Sequence, residues 1–232
     1  MPQFIIADKT HHNHAIAVAR LDTLMQDYAD LQQVGRARLG SMACRYLLTL
    51  LQQKMGLSGR LQDEALPYRI ESNDLRQPTY YVSFSHSREH VAVLLATTPW
   101  LGIDIEDKTI SLAVAKRYFT ANEISWVVSV PTCQQPQATK LLWTLKEALI
   151  KQQGNAKLLV TLTRGLKADI LDSIGKSGIE QLLNQKGSDS PKSVTYQLPL
   201  SQQIIPNNSG IKGVSYYWPA LNCGYVLADK IA

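Results

Sequence analysis

Apolar residues along this chain recur with two different periods, and the change of period separates predicted helices from predicted strands. Over residues 36–55 they follow helical spacing and Gly56 is a suitable terminator, so a helix is predicted there. The polar, proline-containing segment 57–79 is expected to form loops. Three segments bounded by turn residues then show apolar residues in a strand-like pattern, which predicts strands at about 80–85, 90–97 and 100–106.

The second half of the chain shows the same order of elements. Helical spacing resumes at residue 111 in two pieces, and the second begins at Thr120, which forms a candidate capping box with Glu123. The remaining predicted elements are a long helix at about 137–153, more helix at 166–185 and a closing pair of strands within 214–230. Because helix is followed by strands in both halves, we expect an α+β fold made of two similar α/β subdomains.

The long helix has one apolar side and one side that carries charge. A helical wheel places its leucines together, facing a core: Leu141, Leu142, Leu145 and Leu149. Glu147 and Lys151 lie on the other side, one turn apart. An exposed pair of this kind adds only ~0.2–0.5 kcal/mol to a helix and requires no function. The helix alone therefore does not predict a site.

The strand "LGIDIE" puts two carboxylates on one face. Leu101, Ile103 and Ile105 point to one side of such a strand, which leaves Asp104 and Glu106 together on the other. Neighbouring carboxylates repel unless a cation lies between them, and this spacing suits an oxygen-liganded ion such as Mg²⁺. The alternative is a solvent-facing sheet edge with two unremarkable acids.

A hydroxyl and an imidazole end the strand before it. Ser85 and His86, in "SFSHS", are only a hairpin away from Asp104, so their donors could hold a phosphate near a metal ion. A lone histidine is more often structural or simply exposed. The segment with His11, His12 and His14 is accordingly expected to be an exposed turn, because no acidic or cysteine ligand completes a metal site there.

Composition narrows the class of protein. The chain has 232 residues, 45% of them hydrophobic, which is enough for a substantial core. A net charge of +5 favours anionic partners, while an aromatic content of 7% and no basic-aromatic cluster argue against a nucleic-acid platform. Its three widely spaced cysteines suit a reducing cytoplasm. No apolar run reaches the roughly 18 residues of a membrane span, and no signal peptide is expected.

Taken together, these motifs resemble the signature of a known family. "GIDIE", a spacer with "AKRYFTANE" and then "WTLKEALIK" are similar to the linked motifs of 4′-phosphopantetheinyl transferases of the surfactin-type, pseudo-dimeric branch. "SFSHS" and "RARLGSMACR" precede them in the order typical of that branch. The resemblance covers about residues 36–154, and the linkage of two motifs makes it more specific than either alone.

The resemblance implies an activity and a fold. Such enzymes transfer the phosphopantetheine arm of coenzyme A to a serine of an apo carrier protein and release 3′,5′-ADP. The implied fold is an intramolecular pseudo-dimer of two subdomains, taken as residues 1–103 and 104–232, with coenzyme A in the cleft between them and the metal site at their interface. The protein is expected to act as a monomer, and the pathway of its carrier protein stays open.

The resemblance also implies roles for individual residues. Asp104, Glu106 and Glu147 would bind Mg²⁺, with Asp104 also close to the cofactor. Lys151 would neutralise charge on the pyrophosphate of coenzyme A, which Ser85 and His86 would also contact.

The resemblance leaves two roles open, that of the general base and that of the group which binds the 3′-phosphate of coenzyme A. Glu123 would be the general base for the incoming serine, unless it only caps its helix and a metal-bound water or another carboxylate serves instead. Where family members often carry "GKP", this chain has "RQP", with Arg76 one position away. Candidates for the 3′-phosphate of coenzyme A are therefore Arg36, Arg38 and Arg45.

Two other functions fit parts of the same pattern. A Mg²⁺-dependent phosphodiesterase or nuclease would also use carboxylates, a lysine and a basic surface. Such sites commonly hold two metal ions and attack with water, whereas this chain offers one set of three carboxylates. A non-catalytic basic binding module would tolerate loss of Asp104 and Glu147.

Overall fold

The computed structural model describes residues 1–7, 14–72, 74–152, 170–184, 192–198, 211–218 and 223–230. Within these residues the chain forms two antiparallel sheets, each covered by helices on its outer face. The predicted α+β class is confirmed. No helix of the described part has both the length and the apolar character needed to cross a membrane.

The first sheet has the strand order β1-β2-β6-β5-β4-β3. Its strands are β1 (Gln3–Ala7), β2 (His14–Arg20), β3 (Arg60–Gln62), β4 (Tyr68–Glu71), β5 (Tyr80–His86) and β6 (His90–Ala96). Three helices cover one face: α1 (Leu21–Asp27), α2 (Ala29–Gln32) and α3 (Arg36–Met55). As predicted, α3 stops at Gly56, whose φ of 66° is favourable for glycine.

The second sheet has the order β7-β10-β9-β8. Its strands are β7 (Leu101–Ile105), β8 (Lys192–Leu198), β9 (Ile211–Trp218) and β10 (Cys223–Lys230). The described helices of this half are α4 (Leu112–Tyr118), α5 (Ala121–Ser129), α6 (Gln135–Gln152), α7 (Ile170–Ile174) and α8 (Lys176–Leu183). Thr120 and Glu123 form the predicted capping box at the start of α5.

The two sheets pack face to face through an apolar layer. In β6, alternate residues turn toward α3, while the residues between them contact the second sheet. The shared layer consists of Ile16, Val18, Ala92, Leu94, Ala96, Leu101, Ile103, Ile105, Cys223, Tyr225 and Leu227. Both faces of β6 are therefore buried, which explains its continuous apolar sequence "HVAVLLA".

Helix α6 lies directly on the outer face of the second sheet. A Cβ atom added at Gly102 would lie only 1.9 Å from the carbonyl oxygen of Ala148. One at Gly224, in the neighbouring strand β10, would lie 3.2 Å from the Thr144 hydroxyl. The predicted leucine face of α6 is buried, as expected, and Thr144 is buried too. Glycine in β7 thus lets the helix approach the strand closely enough to share a site with it.

Several local predictions were wrong. The segment 57–79 was expected to be loop but contains β3 and β4, short strands that pair with each other at the edge of the first sheet. His14 was expected in an exposed turn, yet it begins β2, is 5% exposed and lies 5.9 Å from the Tyr225 ring. His11 and His12 lie outside the described residues. Short edge strands and a polar strand start leave weak periodic signals, which is why the pattern missed them.

The strands near the site were predicted well. All three strands expected between residues 80 and 106 are present, and the closing pair is β9 and β10. Helix was expected over 166–185 and is found in its described part as α7 and α8. The predicted boundary between residues 103 and 104 falls inside β7, whose register with β10 runs from Leu101 to Ile105.

Replacing Gly102 with alanine tests the contact between α6 and β7. The added methyl group cannot be accommodated without separating the helix backbone from the strand, so Gly102→Ala should lower the free energy of unfolding by at least about 3 kcal/mol. Urea unfolding followed by circular dichroism measures this. Gly35→Ala is the control, because a Cβ there meets nothing within 4 Å. Gly35→Ala should change the free energy of unfolding by less than about 1 kcal/mol. Equal effects of the two substitutions would contradict the close contact between α6 and β7.

Candidate active site where the two sheets meet

Asp104 is a buried carboxylate at the junction of the two sheets. It is 8% exposed, so the solvent-facing edge considered for its strand is not what forms. Its Oδ1 accepts hydrogen bonds from the Ser85 hydroxyl at 2.8 Å and from the Lys151 ammonium at 2.9 Å. These donors come from β5 of the first sheet and from the last turn of α6. Three elements that are distant in sequence therefore meet at one carboxylate.

Lys151 is the cation at this junction. Its Nζ donates to Asp104, to the Ser85 hydroxyl at 3.1 Å and to the Ile103 carbonyl oxygen at 2.9 Å. The ammonium group is thereby fixed over β7, which a flexible surface lysine would not be. The predicted proximity of Lys151, Ser85 and Asp104 is observed, while the cofactor contacts inferred for them stay predictions.

His86 follows Ser85 and lies against α3. A Cβ atom added at Gly40 would come within 2.6 Å of the His86 ring, so the absence of a side chain at Gly40 makes room for the imidazole. Partial burial lowers the pKa of His86, and the charge of Lys151 lowers it further while Asp104 opposes the shift. His86 is therefore a neutral imidazole near pH 7, able to donate one hydrogen bond.

Glu147 lies half-buried on α6, within electrostatic range of the other two acids. The pKa of its carboxyl is raised to about 7, mainly by burial and next by the negative charge of Asp104, with Lys151 opposing and Glu106 adding to the shift. The site thus holds more negative charge than Lys151 alone offsets. An excess of this kind is what a bound divalent cation removes.

Glu106 stands beyond the end of β7 and is also half-buried. Its Oε1 accepts a hydrogen bond from the Lys108 amide at 2.9 Å. Among the residues described, no three His, Cys, Asp or Glu side chains converge in a way that could hold a metal ion. The three predicted ligands are close enough to interact electrostatically.

Glu123 has a different environment from the other acids. It is fully buried, and its carboxylate accepts hydrogen bonds from the Thr120 amide at 2.7 Å, the Ile170 amide at 2.7 Å and the Lys146 ammonium at 2.6 Å. Lys146 also donates to the Tyr118 carbonyl oxygen at 3.2 Å. The carboxylate therefore ties α5 to α6 and to the start of α7. Its predicted role as a base stays a prediction.

A cavity of about 260 Å³ opens beside Lys151 and His86. Arg45 of α3 lines it, and so do the side chains of Tyr68 and Phe84. Arg45 forms an ion pair with Asp63 and donates to the Ser41 carbonyl oxygen at 3.0 Å. The other candidates for the 3′-phosphate, Arg36 and Arg38, are exposed and are not among the residues lining this cavity.

Sequence reasoning missed two parts of this region. Tyr68 belongs to the segment that was expected to be loop, so it was not considered as a cavity wall. The sequence pattern assigns no role to Lys146, although it is 8% exposed and paired with Glu123. Its position next to Glu147 in "WTLKEALIK" gives no direct signal, because neighbouring residues on a helix point in different directions.

Comparison with known proteins decides the family resemblance. Residues 101–197 match the model of the 4′-phosphopantetheinyl transferase superfamily. Relatives include the 4′-phosphopantetheinyl transferase psf-1 of Bacillus pumilus, 40% identical over 96 residues, and Sfp of Bacillus subtilis (strain 168), 38% identical over 101 residues. The predicted resemblance is confirmed. The acids and lysines of the candidate site, from Asp104 to Lys151, lie within the matched segment, whereas Ser85, His86 and the arginines of α3 precede it.

These matches cover only part of each protein. The alignment with psf-1 covers 39% of this chain and 41% of the relative, and that with Sfp covers 38% and 45%. The transferase gsp of Aneurinibacillus migulanus is 29% identical over 55% of this chain and 52% of its own length. The chain therefore spans about half or less of the length of these relatives.

The raised pKa of Glu147 predicts a pH-dependent stability in metal-free buffer. The folded protein holds this proton more tightly than the unfolded chain, whose glutamate pKa is about 4.5, so stability from Glu147 is complete below that pH and is lost as pH rises through about 7. At pH 8 with EDTA, Glu147→Gln should therefore raise the free energy of unfolding by about 2 kcal/mol.

Urea unfolding at pH 4.5 and pH 8 measures this effect. At the lower pH the wild-type protein and Glu147→Gln should have nearly the same stability. Glu64→Gln, at an exposed position, serves as the matched control and should change little at either pH. Destabilisation by Glu147→Gln at pH 8 would contradict the proposed excess of negative charge.

Proposed function

We propose that this protein transfers the 4′-phosphopantetheine group of coenzyme A to a serine of an apo carrier protein, with Mg²⁺ bound at the junction of the two sheets. The observation that carries the proposal is the meeting of Ser85, Asp104 and Lys151 at hydrogen-bonding distance, with Glu147 in electrostatic range. The names of the relatives support the same activity.

The cavity beside the junction supports coenzyme A as the substrate. Arg45, Lys151 and the neutral His86 supply donors for phosphate oxygens, and Tyr68 and Phe84 supply apolar walls suited to a base or a ribose. Its volume is below the ~300–1,000 Å³ of pockets for drug-sized ligands, so it would hold one part of coenzyme A. An anion could compete with Asp63 for Arg45, because both interact with the same guanidinium group.

The arrangement of the halves supports the pseudo-dimer. Each half places a long helix, α3 or α6, on the outer face of an antiparallel sheet, and each sheet contains a hairpin with similar apolar spacing. The two hairpins are β5–β6 and β9–β10, and the sheets meet through their inner faces. We take these as the two subdomains, with coenzyme A bound between them and β7 carrying residues of the interface.

Asp104, Glu106 and Glu147 would hold the Mg²⁺ ion. The residues fit such an ion because they offer only oxygen donors and because a cation would offset the burial and the negative charge that raise the pKa of Glu147 to about 7. When bound, the ion would neutralise charge on the pyrophosphate at the bond that breaks. Lys151 would orient the same pyrophosphate from its fixed position over β7, and the chain would thereby place the phosphorus atom for attack by the serine hydroxyl.

The serine proton needs an acceptor, for which Glu123 is the proposed group. The contacts of Glu123 also support a second role, since its carboxylate is fully buried and holds Lys146 beside Glu147 on α6. A base must come within hydrogen-bonding distance of the serine hydroxyl, which would require Glu123 to leave one of its present partners. A bound water or another carboxylate is the alternative acceptor.

Intact mass spectrometry of an apo carrier protein tests the proposed activity. Incubation with this protein, coenzyme A and Mg²⁺ should add one phosphopantetheine group, and EDTA or Glu147→Gln should reduce the rate by at least about 100-fold. Glu64→Gln is the control and should react normally. No product with carrier proteins of several pathways, from protein shown to be folded, would contradict the proposal. Metal-dependent release of nucleotides from DNA or RNA would instead indicate a nuclease.

A double substitution separates the two roles of Glu123. Glu123→Gln leaves Lys146 buried without its carboxylate and should cost about 3 kcal/mol of stability, whereas Glu123→Gln with Lys146→Met removes both charges and should recover most of it. If Glu123 is the base, transfer stays at least about 100-fold reduced in the double variant. If the pair only joins α5 to α6, transfer recovers along with stability. Urea unfolding and the mass assay together distinguish these outcomes.

A further inference from the structure

A second polar cluster lies immediately after β7, outside the proposed catalytic group. The Asp107 carboxylate accepts hydrogen bonds from the Ser87 hydroxyl, from the Glu89 amide at 2.6 Å and from His90 Nδ1 at 2.6 Å. These three donors belong to the turn between β5 and β6 of the first sheet and to the first residue of β6. The main-chain carbonyl oxygen of Asp107 accepts a hydrogen bond from the Lys140 ammonium of α6 at 3.2 Å.

The cluster contains a serine, a histidine and an aspartate, but its geometry is not that of a nucleophile. In a catalytic triad the serine hydroxyl donates to the histidine, whose other nitrogen faces the aspartate. Here the Ser87 hydroxyl donates to the Asp107 carboxylate and also contacts the His90 carbonyl oxygen, at 3.3 Å. His90 Nδ1 contacts Asp107 rather than the Ser87 hydroxyl, so the described contacts do not form a serine–histidine pair and instead hold chain segments together.

What the cluster holds is the segment that carries Glu106. The ladder between β7 and β10 ends at the pair Ile105 and Cys223, so Glu106 lies beyond the last strand residue. The side chains of Asp107 and His90 are only 12% and 18% exposed, and their contacts fix the backbone directly after Glu106 to the first sheet. Lys140 adds a contact from α6, the helix that carries Glu147.

We propose that Asp107 is a positioning residue for the metal site: it anchors the segment that follows Ile105, the last β7 residue in the described pairing with β10, and holds Glu106 where a divalent cation can bind. The inference rests on the proposed function, because Glu106 is a proposed metal ligand. Partners that orient metal ligands typically change metal affinity by about 10–100-fold when removed. Loss of this anchor leaves the carboxylate of Glu106 intact, so the main effect falls on metal affinity rather than on the chemical step.

Binding of Mn²⁺ to the purified protein, measured by electron paramagnetic resonance with and without coenzyme A, tests this inference. Asp107→Ala should weaken Mn²⁺ binding about tenfold, and in the transfer assay it should raise the Mg²⁺ concentration for half-maximal rate by a similar factor. The rate at saturating Mg²⁺ should fall less than about threefold. Asp74→Ala, which removes an exposed carboxylate paired with Arg76, is the matched control and should bind Mn²⁺ normally.

Substitutions of His90 give a second series in case Asp107→Ala is poorly folded. His90→Ala should weaken Mn²⁺ binding, and His90→Asn should restore much of it, because its amide nitrogen can replace Nδ1 as a donor to Asp107. Unchanged Mn²⁺ binding in folded Asp107→Ala and His90→Ala would overturn the inference, and so would a wild-type protein that binds no Mn²⁺ under either condition.

The two assays distinguish failure of the proposed transferase activity from failure of the positioning role of Asp107. A wild-type protein that transfers no phosphopantetheine but binds Mn²⁺, with weaker binding in Asp107→Ala, would contradict the transferase activity and keep the positioning role. Normal transfer by the wild-type protein, with Mn²⁺ affinity unaffected by Asp107→Ala, would support the transferase activity and contradict the positioning role.

Discussion

Helix α6 lies on β7 at a distance that only glycine permits, and most of the candidate site depends on this approach. Gly102 has no Cβ atom in the position where it would meet the Ala148 carbonyl oxygen. With the helix backbone so close, Lys151 in the last turn reaches the Ile103 carbonyl oxygen and the Asp104 carboxylate across a short gap. A larger residue would push α6 outward, and the lysine, Glu147 and the strand would no longer share one site.

The acids named at the junction of the two sheets, Asp104, Glu106 and Glu147, carry more negative charge than Lys151 balances. Lys151 donates a hydrogen bond to Asp104, while Glu106 and Glu147 add further negative charge nearby. Burial makes this repulsion stronger than it would be in water, which is why the proton on Glu147 is held up to about pH 7. A site that served only to stabilise the fold would gain from matched charges. An unmatched anionic site, next to a cavity with arginine and histidine, suits a cation and a phosphate that arrive together.

Two buried ion pairs share helix α6 and differ in what surrounds them. Lys146 and Glu123 hydrogen-bond to each other and to main-chain groups at the end of α4 and at the starts of α5 and α7. Lys151 and Asp104 lie beside the cavity, where a ligand could exchange places with one partner. Helix α6 thus carries two lysines with different environments. The pair Lys146–Glu123 joins helices of the second half, whereas the pair Lys151–Asp104 is accessible to a ligand in the cavity. The Asp107 cluster fastens the opposite end of the same region to the first sheet.

The sequence by itself determined the helices and strands that carry the site. The glycine stop of α3, the capping box of α5 and the alternation in "LGIDIE" are local patterns, set by backbone conformation and by which residues can be buried. The linked motifs also determined the family resemblance. The expected separation of Leu101, Ile103 and Ile105 from Asp104 is found as predicted, since side-chain alternation in a strand does not depend on what the strand packs against.

Only the tertiary structure decided how those elements use their side chains. It assigned Lys146 to Glu123 and Lys151 to Asp104, placed Arg45 rather than Arg36 at the cavity, and joined Asp107 to a hairpin of the other sheet. Short strands such as β3 and β4 exist because a longer neighbour offers them hydrogen-bonding partners, not because their own residues are strongly periodic. Contacts between residues 19 or more positions apart depend on packing distances and directions, and a one-dimensional pattern of residue types contains neither.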